Sequence, residues 1–279
     1  MATAKTTKKS SKPRVQRAAV SQPATKSLFT TAALFALNKW FALLYAAAGL
    51  ATGLFASSFQ VPLQLSYLAK DELLSTPNDQ AFGFASSEVG SVNLAWVLAA
   101  WLALFALVHI LLATKLRAQY EREVVRGGNS FGWLTGGVLF GYGAVLVLLL
   151  LGGYDIALLA VAFLASVGAG VAGWLATRTG VQLKAGLALS TLLAALPWLA
   201  VALLVLGSLM YGSAALPLNL YITAATGLVL GGVLCAITWL SRARKGIFAD
   251  RVTTEGIFTI VSFIFVLAIA GQIFAGVLW

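Results

Sequence analysis

A single cysteine, a single histidine and nine carboxylates among 279 residues leave little material for catalysis or metal binding. Cys235 alone excludes an internal disulfide and a thiolate metal centre. His109 has no second histidine, cysteine or carboxylate at metal-ligand spacing, so its expected role is a hydrogen bond to its neighbours. No phosphate-binding glycine loop, zinc-protease helix or nucleophile elbow occurs where its structural context would support it. Neither an internal duplication nor paired broken helices suggest a transporter. Residues 1–26 have no apolar stretch and are not a cleavable signal peptide.

Charge is scarce overall, at 10% of residues, whereas 60% are hydrophobic. A soluble domain has roughly 45–50% apolar and about 25% charged residues, so this composition, with a mean hydropathy of +0.91, excludes one. A bilayer core about 30 Å thick needs roughly 20 helical residues, and runs of that length recur at 38–57, 91–113, 131–152, 156–177, 185–209, 217–240 and 256–278. The sequence therefore predicts an all-α membrane protein of seven spans. Residues 27–37 are also apolar and are expected to form an interfacial helix or an extension of the first span. No carboxylate stands well inside a span, since Asp155 borders one surface and Glu255 the other. A proton relay and the acidic ring of a cation channel are both missing.

The net charge of +10 comes from basic residues that collect on one side, which argues for the membrane and against nucleic acid. They are Lys5, Lys8, Lys9, Lys12, Arg14, Arg17 and Lys26 in the arm, Lys39, then Lys115, Arg117, Arg122, Arg126, Arg178, Lys184, Arg242, Arg244, Lys245 and Arg251. Only Lys70 falls on the other side, with Asp71, Glu72, Asp79, Glu88 and Asp155. The positive-inside rule then places the N-terminus in the cytoplasm and the C-terminus outside. Residues 1–26 are expected to be a disordered basic arm ahead of one membrane domain, 27–279. The alternative for the arm is a tether to anionic lipid, at about 1 kcal/mol per basic residue.

Between the first two spans, FQVPLQLSYLA and AFGFASSEV flank the turn-rich residues 75–79, which predicts a small extracellular β-hairpin. Gly132, Gly136, Gly137, Gly141 and Gly143 in the third span and Gly168, Gly170 and Gly173 in the fourth would let helix backbones approach closely. Packing within the chain is the expected use of these glycines, a homodimer face the alternative. Pro197 predicts a local kink in the fifth span. Tyr45, Thr135, Tyr142, Ser190, Thr191, Trp198, Thr238 and Ser262 complete the polar inventory inside the spans, and their default role is to satisfy one another.

Several strings narrow the class. IVSFIFVLAIAGQIFAGVL at 260–278 resembles the last helix of heliorhodopsins, and GGYDIALLAVAF at 152–163, Gly173-Trp174-Leu175, Pro197-Trp198 and Leu37-Asn38-Lys39 resemble further segments of that family in the same order. The resemblance covers about residues 36–279. It implies a rhodopsin-like bundle with the N-terminus inside, a hairpin in the first outer connection, and a dimer.

It also implies where the chromophore machinery would stand. Counting back from Gln272, the family's retinal lysine falls on Val266, and Ser262, one turn earlier, matches the serine beside the Schiff base. Counting without gaps from Asp155, the glutamate counterion falls on Thr135; His109 matches the second-helix histidine, and Tyr45 replaces the first-helix one. The last span contains no lysine at all, and Lys39 and Lys184 lie toward the cytoplasmic boundary. The two losses are coupled, because a buried cation needs its anion and an unpaired carboxylate would be costly.

The resemblance thus implies a protein without a covalent retinal Schiff base, neither pump nor enzyme, that acts as a binding, sensory or interaction protein. Its candidate pocket, drawn from Tyr45, His109, Thr135, Tyr142, Trp198 and Ser262, would take a lipid, a carotenoid or a free retinoid. The alternatives are an accessory subunit of a larger membrane complex, contributing apolar surface through its glycine-rich helices and termini such as Trp279, or a small-molecule transporter or channel.

Overall fold

Polar side chains decide where the helices begin. Thr30 accepts a hydrogen bond from the Ala33 amide at 3.1 Å and starts α1, Thr31–Phe55. Asn93 accepts from Ala95 at 3.0 Å and starts α2, Leu94–Ala113. A short helix α3, Arg117–Arg126, follows. Asn129 accepts from Gly132 at 2.6 Å to start α4, Ser130–Leu150. After α5, Ile156–Thr179, α6, Leu183–Tyr211, and α7, Leu218–Ala243, Asp250 accepts from Thr253 at 2.7 Å and starts α8, Arg251–Ile273. Each cap satisfies an amide that the first turn leaves without a partner. The computed structural model describes residues 27–70, 81–179, 183–212, 216–244 and 246–278. The basic arm, the turn at 75–79 and Trp279 lie outside the described residues.

Seven of these helices are long and apolar enough to cross a membrane, so the chain is an integral, multi-pass membrane protein. Sequential helices pack as neighbours, and α8 closes back on α1. The antiparallel order places α3, the starts of α1, α4, α6 and α8 and the ends of α2, α5 and α7 on one face. That face carries the described basic residues apart from Lys70, which stands with the hairpin on the other.

The caps also explain where the expected span boundaries shift. The apolar residues before Asn38 extend α1 back to Thr31. Capping by Asp250 draws the last helix back to Arg251, five residues before the expected start. The second span begins at Leu94 because residues up to Asn93 belong to a strand: β1, Gln60–Lys70, pairs antiparallel with β2, Phe82–Asn93, in the register Gln60↔Asn93 to Lys70↔Phe82 with a bulge between Leu63 and Gln64. The hairpin is anchored to the α4–α5 connection. Gln64 N–H donates to the Tyr154 carbonyl at 2.9 Å and Ser66 N–H to Asp155 Oδ2 at 2.9 Å.

The close packing of α4 on α5 rests on glycine. A Cβ at Gly137 would stand 2.9 Å from the Ser166 carbonyl oxygen and 3.0 Å from the Gly170 Cα, so backbone meets backbone directly. Helix α6 continues through Pro197. Helix α3 was not anticipated. Tyr120 and Val124, one turn apart, bury against Leu34, Phe35 and Leu112, and left-handed Gly127 at φ +81° ends the helix.

Candidate functional site

A cavity of about 530 Å³ lies among α4, α5, α6, α7 and α8. Small residues make its room, including Gly136, Gly170, Ala194 and Gly231, and aromatic rings bound it. The Phe265 ring stands edge-on to Phe140 at 5.4 Å and to Trp198 at 6.0 Å, with interplanar angles of 77° and 88°. Gly227 admits the indole, since a Cβ there would fall 2.1 Å from Trp198 Cζ3. Leu199 and Leu228, 55% and 43% exposed, belong to the wall, so the cavity opens sideways where α6 and α7 pack sparsely. The lining is apolar with few polar groups, the character of a lipophilic ligand site.

Of the six candidate pocket residues only Trp198 lines this cavity, although Ser190, Thr191 and Thr238 of the polar inventory stand in its wall too. The other candidates lie elsewhere. Tyr142, 200° around α4 from Phe140, points away and donates to the Val97 carbonyl at 3.2 Å. The Tyr45 and His109 rings lie 5.4 Å apart, tilted by 32°, within an aromatic cluster with Phe41, Phe105 and Phe263. His109 Nδ1–H donates to Asn38 Oδ1 at 2.6 Å, because the Asn38 amide donates to the Leu34 carbonyl and leaves its oxygen as the acceptor. The Tyr45 hydroxyl is buried without a hydrogen-bond partner.

Val266 is wholly buried in the apolar core rather than in the cavity wall. Thr135 donates to the Phe131 carbonyl, while the buried Ser262 hydroxyl has no partner. The hydrogen bond from Asn129 Nδ2 to Glu255 Oε1, 2.6 Å, ties the start of α4 to that of α8, and both helices run from it toward the opposite face. Thr135 lies six residues beyond it and Ser262 seven, roughly 9 and 10 Å along. They therefore share a depth, and Val266 stands one turn farther on. Helical side chains lean toward the N-terminus, so a long side chain at 266 would extend toward that level.

Beside this arrangement of seven spans and a hairpin stands the sequence comparison: the family model described as Heliorhodopsin matches residues 34–278. The chain belongs to the heliorhodopsin family. No curated protein matches it.

One assembly in this heliorhodopsin-family chain escaped the sequence reading. Glu255, read from sequence as bordering the membrane surface, is half-buried and lines a small cavity at the basic face. Its Oε1 accepts from the Tyr120 hydroxyl at 2.8 Å as well as from Asn129. Burial first, and then the Glu255 charge, raise the Tyr120 hydroxyl pKa well above the ordinary value. Asn129, Glu255 and Tyr120 thus form one hydrogen-bonded group, and Asn38 and His109 form a second. The signal available in sequence was the Tyr120/Val124 pair on a short helix ended by Gly127, which aims the tyrosine inward.

Proposed function

We propose that this heliorhodopsin-family protein holds an elongated apolar ligand without a covalent bond and works as a sensory or binding protein rather than as a pump or an enzyme. The observation that carries this reading is a 530 Å³ apolar cavity beside a last helix that has no lysine. A retinoid, a carotenoid or a lipid acyl chain matches such a lining, and the opening between α6 and α7 offers a route from the bilayer. Val266 and Thr135, at the lysine and counterion positions that the resemblance assigns, form a neutral pair consistent with the loss of both charges. The collection of basic residues supports a cytoplasmic N-terminus and an extracellular hairpin.

The test is expression with all-trans retinal, followed by a visible spectrum and an organic extract of the purified protein. We expect an extractable apolar molecule and no band sensitive to hydroxylamine. A strong visible band bleached by hydroxylamine would overturn the proposal, and so would an empty extract.

A role through association, as a dimer or as a subunit of a larger assembly, has support from the hairpin, where Phe82 and Phe84 are 62% and 89% exposed. Purification in mild detergent decides this. A lone monomer would count against any partner, and a homodimer against the subunit role.

A further inference from the structure

The basic face holds two arginines in an unusual setting. Arg242, in the last turn of α7, and Arg251, in the first turn of α8, both point at one acceptor, the Gly127 carbonyl, at 3.4 and 3.1 Å. Gly127 is what admits them, since a Cβ there would fall 1.4 Å from Arg251 Nη1. The two guanidiniums are close enough to repel each other, and Arg244 adds to the repulsion on Arg251. Among the described residues, neither pairs with a carboxylate. Arg242 Nε is buried with no hydrogen-bond partner. Two like charges that share one neutral acceptor and leave a donor unpaired are not explained by packing alone.

Both arginines line a cavity of about 120 Å³, room for several waters and for a compact ion, though not for a nucleotide. The hydroxyls in its wall already donate to helix carbonyls, Thr238 to Leu234, Ser241 to Thr238 and Thr254 to Asp250. The donors left for a ligand are the guanidinium forks, whose planar geometry matches an oxyanion. Glu255 stands on the same cavity with its Oε1 held by Tyr120 and Asn129, so the anion belongs at the arginine side.

We propose that Arg242 and Arg251 form an oxyanion site that binds a phosphoryl group, supplied either by free phosphate or by the headgroup of an anionic lipid. The full chain in phosphatidylcholine nanodiscs is titrated with inorganic phosphate against chloride at constant ionic strength, and thermal unfolding is followed. A saturable rise in melting temperature is expected, with about tenfold weaker affinity in R242Q or R251Q and tighter binding in E255Q. Phosphatidylglycerol nanodiscs form the second arm. Stabilisation there without added phosphate, lost in the same variants, identifies the headgroup as the source, whereas stabilisation by phosphate alone identifies the free ion. Absence of any effect in both arms overturns the proposal, as does an effect of equal size in R242Q and R251Q. Retention of labelled phosphate by the wild-type chain reads the site independently of how the variants fold, and retention that does not saturate also overturns it.

Discussion

At the scale of single residues, the interior of α8 is decided by what position 266 can tolerate. Val266 is fully buried among apolar side chains, so V266K alone places an ammonium where no anion faces it, at a cost of about 3–5 kcal/mol. T135E alone has the same defect with the opposite sign. Because Thr135 and Ser262 share a depth and a lysine at 266 leans toward Ser262, we expect V266K/T135E to be substantially less destabilised than the sum of the two single variants. Thermal unfolding of the four proteins in a double-mutant cycle measures the difference, and strict additivity would show that the two positions do not meet. The sequence strings supplied the numbers 266 and 135, but they said nothing of Phe265, whose ring bounds the cavity beside Val266. Neighbouring positions on a helix point about 100° apart, and a sequence match alone does not say which of them faces a space.

At the scale of elements, two contacts hold the architecture. The α4–α5 approach at Gly137 leaves no room for a methyl group against the Ser166 carbonyl, so G137A should cost about 1–3 kcal/mol and G137L more, read as a fall in melting temperature. Variants as stable as the parent would mean that the helices separate freely. The hairpin depends on Asp155, which accepts from Ser66 and also caps α5 through the Ala157 and Leu158 amides at 2.8 and 3.1 Å. The hydrogen bonds from Ser66, and then the Leu158 amide, lower its pKa below the ordinary 3.8. A carboxylate with a lowered folded pKa stabilises the native state above its unfolded value and loses that contribution as pH falls through the folded one. Protection of the Ser66 amide, its exchange relative to the intrinsic rate at each pH, should therefore be strong at neutral pH and fall below about pH 3.8, and D155N should be poorly protected already at pH 7. Equal protection in D155N and the parent would detach the hairpin from this anchor. The strands themselves were legible, because polar turn residues punctuate them. The pairing of residues 91–93 was not, since an apolar segment beside a span looks like part of it.

At the scale of the whole molecule, the cavity sets the response to a ligand. A molecule that binds only the folded bundle stabilises it by about 2.7 kcal/mol at a hundredfold excess over its Kd, so a retinoid or carotenoid that fits should raise the melting temperature. F265A removes the ring between the cavity and the core around Val266. It should cost about 3–5 kcal/mol in the empty protein and recover part of that with a bulky apolar ligand. An F265A protein indifferent to every apolar ligand that stabilises the parent would place the ligand elsewhere. Sequence alone determined the number of spans, the side on which basic charge collects, the hairpin between the first two spans and the lysine-free last helix, because a bilayer turns length and charge into direct constraints along the chain. Only the tertiary structure decided that the pocket candidates fall into separate surroundings, that Glu255 turns to Tyr120 and Asn129, and that Arg242 and Arg251 converge on Gly127. Helices that are apolar around most of their circumference carry no stripe to mark an inward face, so the direction each side chain takes is set by how the helices pack.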